Sequence, residues 1–283
     1  MNDQLTFSIL EDIARDLSGE SISFPTFLDI TFRVRTALKS PHLSIEQLAA
    51  LISAEPLMST KIIRLANSAA LNRSRRKIVD VNNAISVVGM EAVRSVSFAV
   101  AMEQLLGSKK MAPFEALSRR LWEHSIHVAA LCRVLARRLT RTSPDEAMFT
   151  GLVHDIGVFY LLYRTASFPE MIADPAMLHE LLVRWHAEIG HALLAAMGMP
   201  DELLILVQEH ESERSISKVD SLADVLFIAN RLAGVEQSWR DPRFAPAEDH
   251  RTPIDKLLET DVVRALRSES LNDVASLKSA LGT

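Results

Sequence analysis

Helix starts and helix stops recur along this chain at short intervals, and the apolar residues between them repeat every three or four positions. A chain patterned this way packs helix on helix. The sharpest start is Ser143, with Pro144 at the first helical position and Glu146 spaced as the partner of a capping box. Ser44 and Gln47 have the same arrangement ahead of Leu48, Leu51 and Ile52, which share one helical face. Pro56 suits the first turn of a helix ending near Asn67. Asp80 caps VNNAISVV, Gly89 stops it, and the following helix runs to Gly107. A longer periodic segment spans Phe114 to Leu139, and the helix begun at Ser143 carries GLVHDIG, residues 151–157. Pro169 and Pro175 punctuate the connection to AMLHELLVRWHAEIGHALLAAM, which Gly198 and Pro200 close. DELLILVQEHE and KVDSLADVLFIANRLA supply two further helices. No convincing strand interrupts them and no segment repeats at a fixed period. The expected fold is all-α, a multi-helix bundle.

Composition narrows the class. At 283 residues, 48% of them hydrophobic and 24% charged, the chain is too apolar for disorder and long enough for one large domain or two smaller ones. A formal charge of −5 argues against a general nucleic-acid surface. The basic run NRSRRK at 72–77 and the pairs Arg119–Arg120 and Arg137–Arg138 therefore read first as solvated surface, and nucleic acid is not an expected partner. The single cysteine, Cys132, sits in the apolar pattern HVAALCRVLA and reads as a buried thiol. The start, MNDQLTFSILED, lacks the parts of a signal peptide, and no apolar run is long enough to span a bilayer, so a cytoplasmic location is expected. After Gly234 the polar, proline-bearing stretch QSWRDPRFAPAEDHRTP reads as a loop or hinge leading to short polar helical segments.

The chemistry begins at His154 and Asp155. Neighbours on a helix point about 100° apart, so both can face one cation only across the edge between them or where the helix is distorted near Gly157. His124, His186 and His210 fall on other expected helices, and a bundle builds a metal site by projecting such ligands into a shared interior. Each histidine alone reads first as a surface or hydrogen-bonded residue. His127 can share the face of His124, whereas His191 lies about 140° from His186 around its helix. His42, His179 and His250 read as exposed. Trp122, Trp185, Met197 and Met199 read as packing residues.

HDIG preceded by GLV, together with HAEIGHALLAAMGMP and VQEHE, resembles the helical HD-type phosphohydrolase superfamily. AEPLMSTKIIRLANSAALN and AISVVGMEAVRSVSFAVAM resemble the HDOD branch in particular, and the similarity runs from about Phe24 to Leu232. The resemblance implies an HD-type bundle with an N-terminal helical lobe. It divides the chain into an N-terminal helix or tail at 1–20, an HDOD domain at 21–234 and a polar extension at 235–283. Within the domain, the helical lobe covers about 21–112 and the HD-like bundle about 113–234.

It also implies ligands. His124, followed by Ser125, matches the superfamily's first histidine, and His154 and Asp155 match the paired motif. His186, four residues before Gly190, and His210 match histidines resembling the extra ligands of the HD-GYP branch. The last expected ligand is an aspartate in the final helix, where this chain has Asn230. Glu211 follows His210 where HD-GYP relatives carry two adjacent histidines, and SERSISKVD contains no glycine-tyrosine-proline element. An asparagine offers a neutral amide oxygen in place of a carboxylate, which weakens a divalent site.

The implied centre therefore holds one divalent transition metal (Fe, Zn, Mn or Ni) weakly or not at all. The implied function is a non-catalytic bacterial signalling or regulatory module that binds a protein partner or a small signalling ligand. The alternative is a metal-dependent phosphohydrolase acting on a nucleotide or other phosphate ester. That reaction needs cations for phosphate, and Arg120, Lys218 and Arg231 are the candidates.

Overall fold

The computed structural model describes residues 3–18, 29–68, 71–72, 76–212, 214, 216, 218–233 and 261–281. Regular structure among them is helical throughout, as the periodicity demanded. Helices α1 (Asp3–Ser18), α2 (Asp29–Leu38), α3 (Ile45–Ser53), α4 (Pro56–Ala66), α5 (Val81–Val88) and α6 (Met90–Leu106) form the N-terminal part. A 3-10 helix (Lys109–Phe114) leads into the long α7 (Glu115–Leu139). There follow α8 (Pro144–Val153), α9 (Ile156–Thr165), α10 (Pro169–Ala173), α11 (Pro175–Ala196), α12 (Asp201–Glu209), α13 (Leu222–Ala233) and α14 (Asp261–Leu281).

The local signals act where expected. Ser44 accepts from the Gln47 amide at 3.2 Å and its own amide donates to the Gln47 side chain at 3.0 Å, a reciprocal cap for α3. Pro56 and Pro144 sit in the first turns of α4 and α8, and the Ser143 hydroxyl accepts from Glu146 N at 3.3 Å. Asp80 caps α5 by accepting from Asn83 N at 2.9 Å.

Buried on nearly every side, α7 is the central beam, with α8, α13 and α14 packed along it. The core crosses from α6 into the helices beyond it. Phe98 of α6 lies 6.4 Å from the Trp122 ring and 6.2 Å from that of Phe149, and Trp122 in turn lies 6.4 Å from Phe159. Cys132 is fully buried, and burial pushes its thiol pKa up. Met197 and Met199 are core residues as well.

Two features depart from the sequence reading. In place of short polar segments, residues 261–281 form one helix. Its Leu266, Val274 and Leu277 bury a stripe while Arg137 and Arg138 of α7 both reach Glu269, at 2.8 and 3.1 Å. Second, the helix opened by Ser143 does not carry the whole of GLVHDIG: it ends at Val153, and a new one starts at Ile156.

No single helix among the described residues is long and apolar enough to cross a membrane. By length and composition α5 and α6 together would suffice, but they meet at a 109° bend. Val93, Val96, Phe98 and Val100 of α6 are at most 2% exposed.

Candidate metal centre

The two glycines of GLVHDIG explain where the histidine and aspartate go. A Cβ at Gly151 would lie 2.6 Å from Ala129 Cα, so α8 presses its backbone onto α7. A Cβ at Gly157 would strike the His186 carbonyl oxygen and lie 2.7 Å from Gly190 N, so α9 presses equally on α11. Between these two close approaches the chain turns, with Asp155 at φ −100° and ψ 19°. The distortion expected near Gly157 falls two residues earlier, at the motif itself, and turns both side chains toward one interior point.

Asp155 is the hub. Its Oδ2 lies 3.3 Å from His154 Nε2 and 3.7 Å from His124 Nε2. On the other side, Oδ1 lies 3.3 Å from His210 Nε2 and 3.9 Å from His186 Nε2. All five side chains are at most 4% exposed. Three rings turn Nδ1 to a carbonyl one helical turn back: His154 to Gly151 O at 2.8 Å, His186 to Leu182 O at 2.9 Å and His210 to Val207 O at 2.6 Å. A carbonyl can only accept, so Nδ1 carries a hydrogen; a protonated ring donates from Nε2 to the carboxylate, and a neutral one offers its Nε2 lone pair to a metal. His124 differs: its Nδ1 is buried without a hydrogen bond, and the Asn230 side chain stands beside the ring.

Burial and mutual proximity set the charges. Burial, reinforced by the His154 ring, lowers the His124 pKa to about 4 against the pull of Asp155 and Asn230. Burial also lowers that of His186, with Asp155 and Glu211 opposing. For His210, burial is outweighed by the adjacent Asp155 and Glu211 carboxylates, and its pKa rises. Burial likewise opposes ionisation of Asp155, yet the imidazoles of His154 and His210 hold its carboxyl well below the usual range.

Residues 24–213 match the HDOD domain family. This chain belongs to the HDOD family. As an HDOD protein it is 21% identical over 217 residues to an uncharacterized protein of Treponema pallidum (strain Nichols), covering 71% of this chain and 40% of that one. It thus spans well under half the length of that curated relative. Among solved structures, a "Putative metal-dependent phosphohydrolase" from Shewanella amazonensis SB2B is 25% identical, with a TM-score of 0.72 over 99% of this chain and 98% of that one. An HDOD domain protein of unknown function from Geobacter sulfurreducens is 19% identical, with a TM-score of 0.60 over 99% and 96%.

The HDOD fold brings together all four histidines and the aspartate singled out from the sequence, with Asn230 at their edge beside His124. Missing from that set is Glu211, whose Oε1 lies 3.7 Å from His186 Nε2 and 3.9 Å from His210 Nε2. Adjacency to His210 was its only signal, and the sequence reading treated it as a departure from the relatives.

Each cation considered for phosphate has its own setting. Arg120 is exposed, Arg231 lies over the Phe227 ring, and exposed Lys218 is 3.7 Å from Asp220. Of the arginines weighed for nucleic acid, three face acids: Arg119 meets Glu115 at 3.1 Å, and Arg137 and Arg138 share Glu269. Within the basic run, 73–75 lie outside the described residues, as do His250 and the stretch after Gly234. His42 is exposed, while His127, His179 and His191 are half-buried.

The donor set fits a divalent transition metal. Donors about 2.0–2.2 Å from a tetrahedral ion stand roughly 3.3–3.6 Å from one another. The nitrogen–oxygen separations here are 3.3–3.9 Å, and Nε2 of His154 and of His210 is buried without a well-formed hydrogen bond.

Proposed function

We propose that this HDOD protein is a non-catalytic regulatory module. It holds a divalent transition metal at the Asp155 centre and works by binding a protein partner or a small signalling ligand. Asn230 carries the reading. It stands against His124, where the related enzymes' pattern calls for a carboxylate, and so leaves the half-site of His124 and His154 with Asp155 as its one anion among the described residues. A divalent ion there would keep uncompensated positive charge in a buried place, which is costly.

The remaining residues are suited to holding and orienting. Backbone carbonyls fix the tautomers of three imidazoles, Asp155 joins the two sides, and Gly157 sets the distance between α9 and α11. When bound, a divalent ion supplies Lewis acidity and lowers the pKa of water. Hydrolysis would also require the protein to grip a phosphate, a task for which Arg120, Lys218 and Arg231 are the candidate cations. Nucleic acid is not a partner in this reading.

The competing reading, a metal-dependent phosphohydrolase, draws support from the name of the Shewanella protein and from the intact His124, His154 and Asp155. One assay separates the two. Purified protein loaded with Mn²⁺, Fe²⁺, Zn²⁺ or Ni²⁺ is offered nucleotides, cyclic dinucleotides and generic phosphate esters. No turnover is expected. Turnover that Asp155→Ala abolishes would overturn the non-catalytic reading.

A further inference from the structure

We propose that Glu211 is a direct metal ligand, completing with Asp155, His186 and His210 a four-donor seat for a single divalent cation on the side of Asp155 away from His154. This rests on the reading of the centre as metal-binding and names which half of it is used.

Distances speak first. Glu211 Oε1 stands 3.7 and 3.9 Å from the Nε2 atoms of His186 and His210, and Asp155 Oδ1 stands 3.9 and 3.3 Å from the same two atoms. Two carboxylate oxygens thus face the same pair of imidazole nitrogens at 3.3–3.9 Å, a few tenths of an ångström wider than donors around a tetrahedral ion, so the seat closes slightly on binding. Three of the four side chains are at most 2% exposed, while Glu211 at 31% closes the seat from the solvent side.

Charge speaks second. Asp155 and Glu211 offer two negative charges to two neutral donors, which matches one divalent ion. Across Asp155, the half-site of His124 and His154 is flanked by the neutral Asn230 amide. The acid missing from the final helix has in effect a counterpart at 211, on the opposite side of the hub.

Position speaks third. Glu211 lies just past the carboxyl end of α12, where the helix's outward carbonyls favour cations and disfavour a carboxylate. An acid turned inward at such a place, over two imidazoles, gains from a cation between them.

The test uses the full chain with Mn²⁺ or Zn²⁺ as probe. Equilibrium dialysis with elemental analysis gives stoichiometry, and calorimetry gives affinity. Wild type is expected to bind one ion per chain. Removing even an outer hydrogen-bond partner of a ligand weakens metal binding by about 10–100-fold, so Glu211→Gln is expected to weaken it by at least about tenfold. Urea unfolding of both proteins without metal checks that the variant folds. In crystals, an anomalous difference map at the metal edge should show one peak bordered by Asp155, His186, His210 and Glu211. Wild-type affinity in Glu211→Gln, or a peak bordered only by His124, His154 and Asp155, overturns the role of Glu211 and leaves the metal reading standing. Absence of any ion from wild type defeats both.

Discussion

A methyl group at position 157 has no room: it would meet the backbone of His186 and Gly190, which cannot swing aside as a side chain can. Alanine is intrinsically better than glycine in a helix by about 1 kcal/mol, so propensity alone predicts that Gly157→Ala stabilises. Overpacking against backbone costs about 1–3 kcal/mol and should win. We expect a net loss in urea unfolding and weaker Mn²⁺ binding, because α9 and α11 carry opposite sides of the centre. A variant as stable as wild type would mean that these helices have slack. His124 supplies a second residue-scale test. Its folded pKa is pushed down to about 4, whereas an unfolded histidine titrates near 6.5. Between those values the unfolded chain takes up a proton that the folded chain refuses, so stability falls as pH drops from 6.5 to 4. His186 acts in the same direction. His210 opposes both, because a raised pKa stabilises at low pH and that contribution is lost as pH rises through its folded value. For metal-free protein we expect His124 to contribute a decline of up to about 3 kcal/mol across that window. Chemical unfolding at a series of pH values should show a shallower decline for His124→Gln.

At the scale of elements, α14 shows what a polar average conceals. Its apolar residues are few, yet Leu266, Val274 and Leu277 fall on one stripe, and Glu269 sits where Arg137 and Arg138 can both reach it. Spacing along the segment makes that stripe legible, but the surface receiving it belongs to α7 and α4, far away in sequence. An exposed ion pair is worth about 0–1 kcal/mol and is screened by salt. Glu269→Ala should therefore cost about 1 kcal/mol at low ionic strength and less at high. Hydrogen exchange of α7 amides should quicken in the variant at low salt; unchanged exchange would show that the apolar stripe alone docks the helix. The break between α8 and α9 is the converse case. Gly157 hints at a distortion, but no proline or glycine stands at His154 or Asp155 to place the break there. The chain turns there because its two flanking glycines are pinned against different helices.

Across the whole molecule, the aromatic contacts of Phe98, Trp122, Phe149 and Phe159 tie α6 to α7, α8 and α9. Truncating a buried phenylalanine costs about 3–5 kcal/mol, so Phe98→Ala should destabilise by that order. If the helices before and after residue 112 share one core, far-UV circular dichroism and tryptophan fluorescence should report a single coincident transition in wild type. Two separated transitions would show two lobes that fold apart.

The sequence by itself determined the all-helical class, most of the caps, the family and the four histidines and aspartate that meet inside. These are matters of local hydrogen bonding and of spacing along one helix, where the interacting groups lie within a few residues of each other. Only the tertiary structure decided that the chain breaks at Asp155 and that Glu211 faces His186 and His210. Each depends on how closely two distant backbones approach, and that distance is set by what both helices carry.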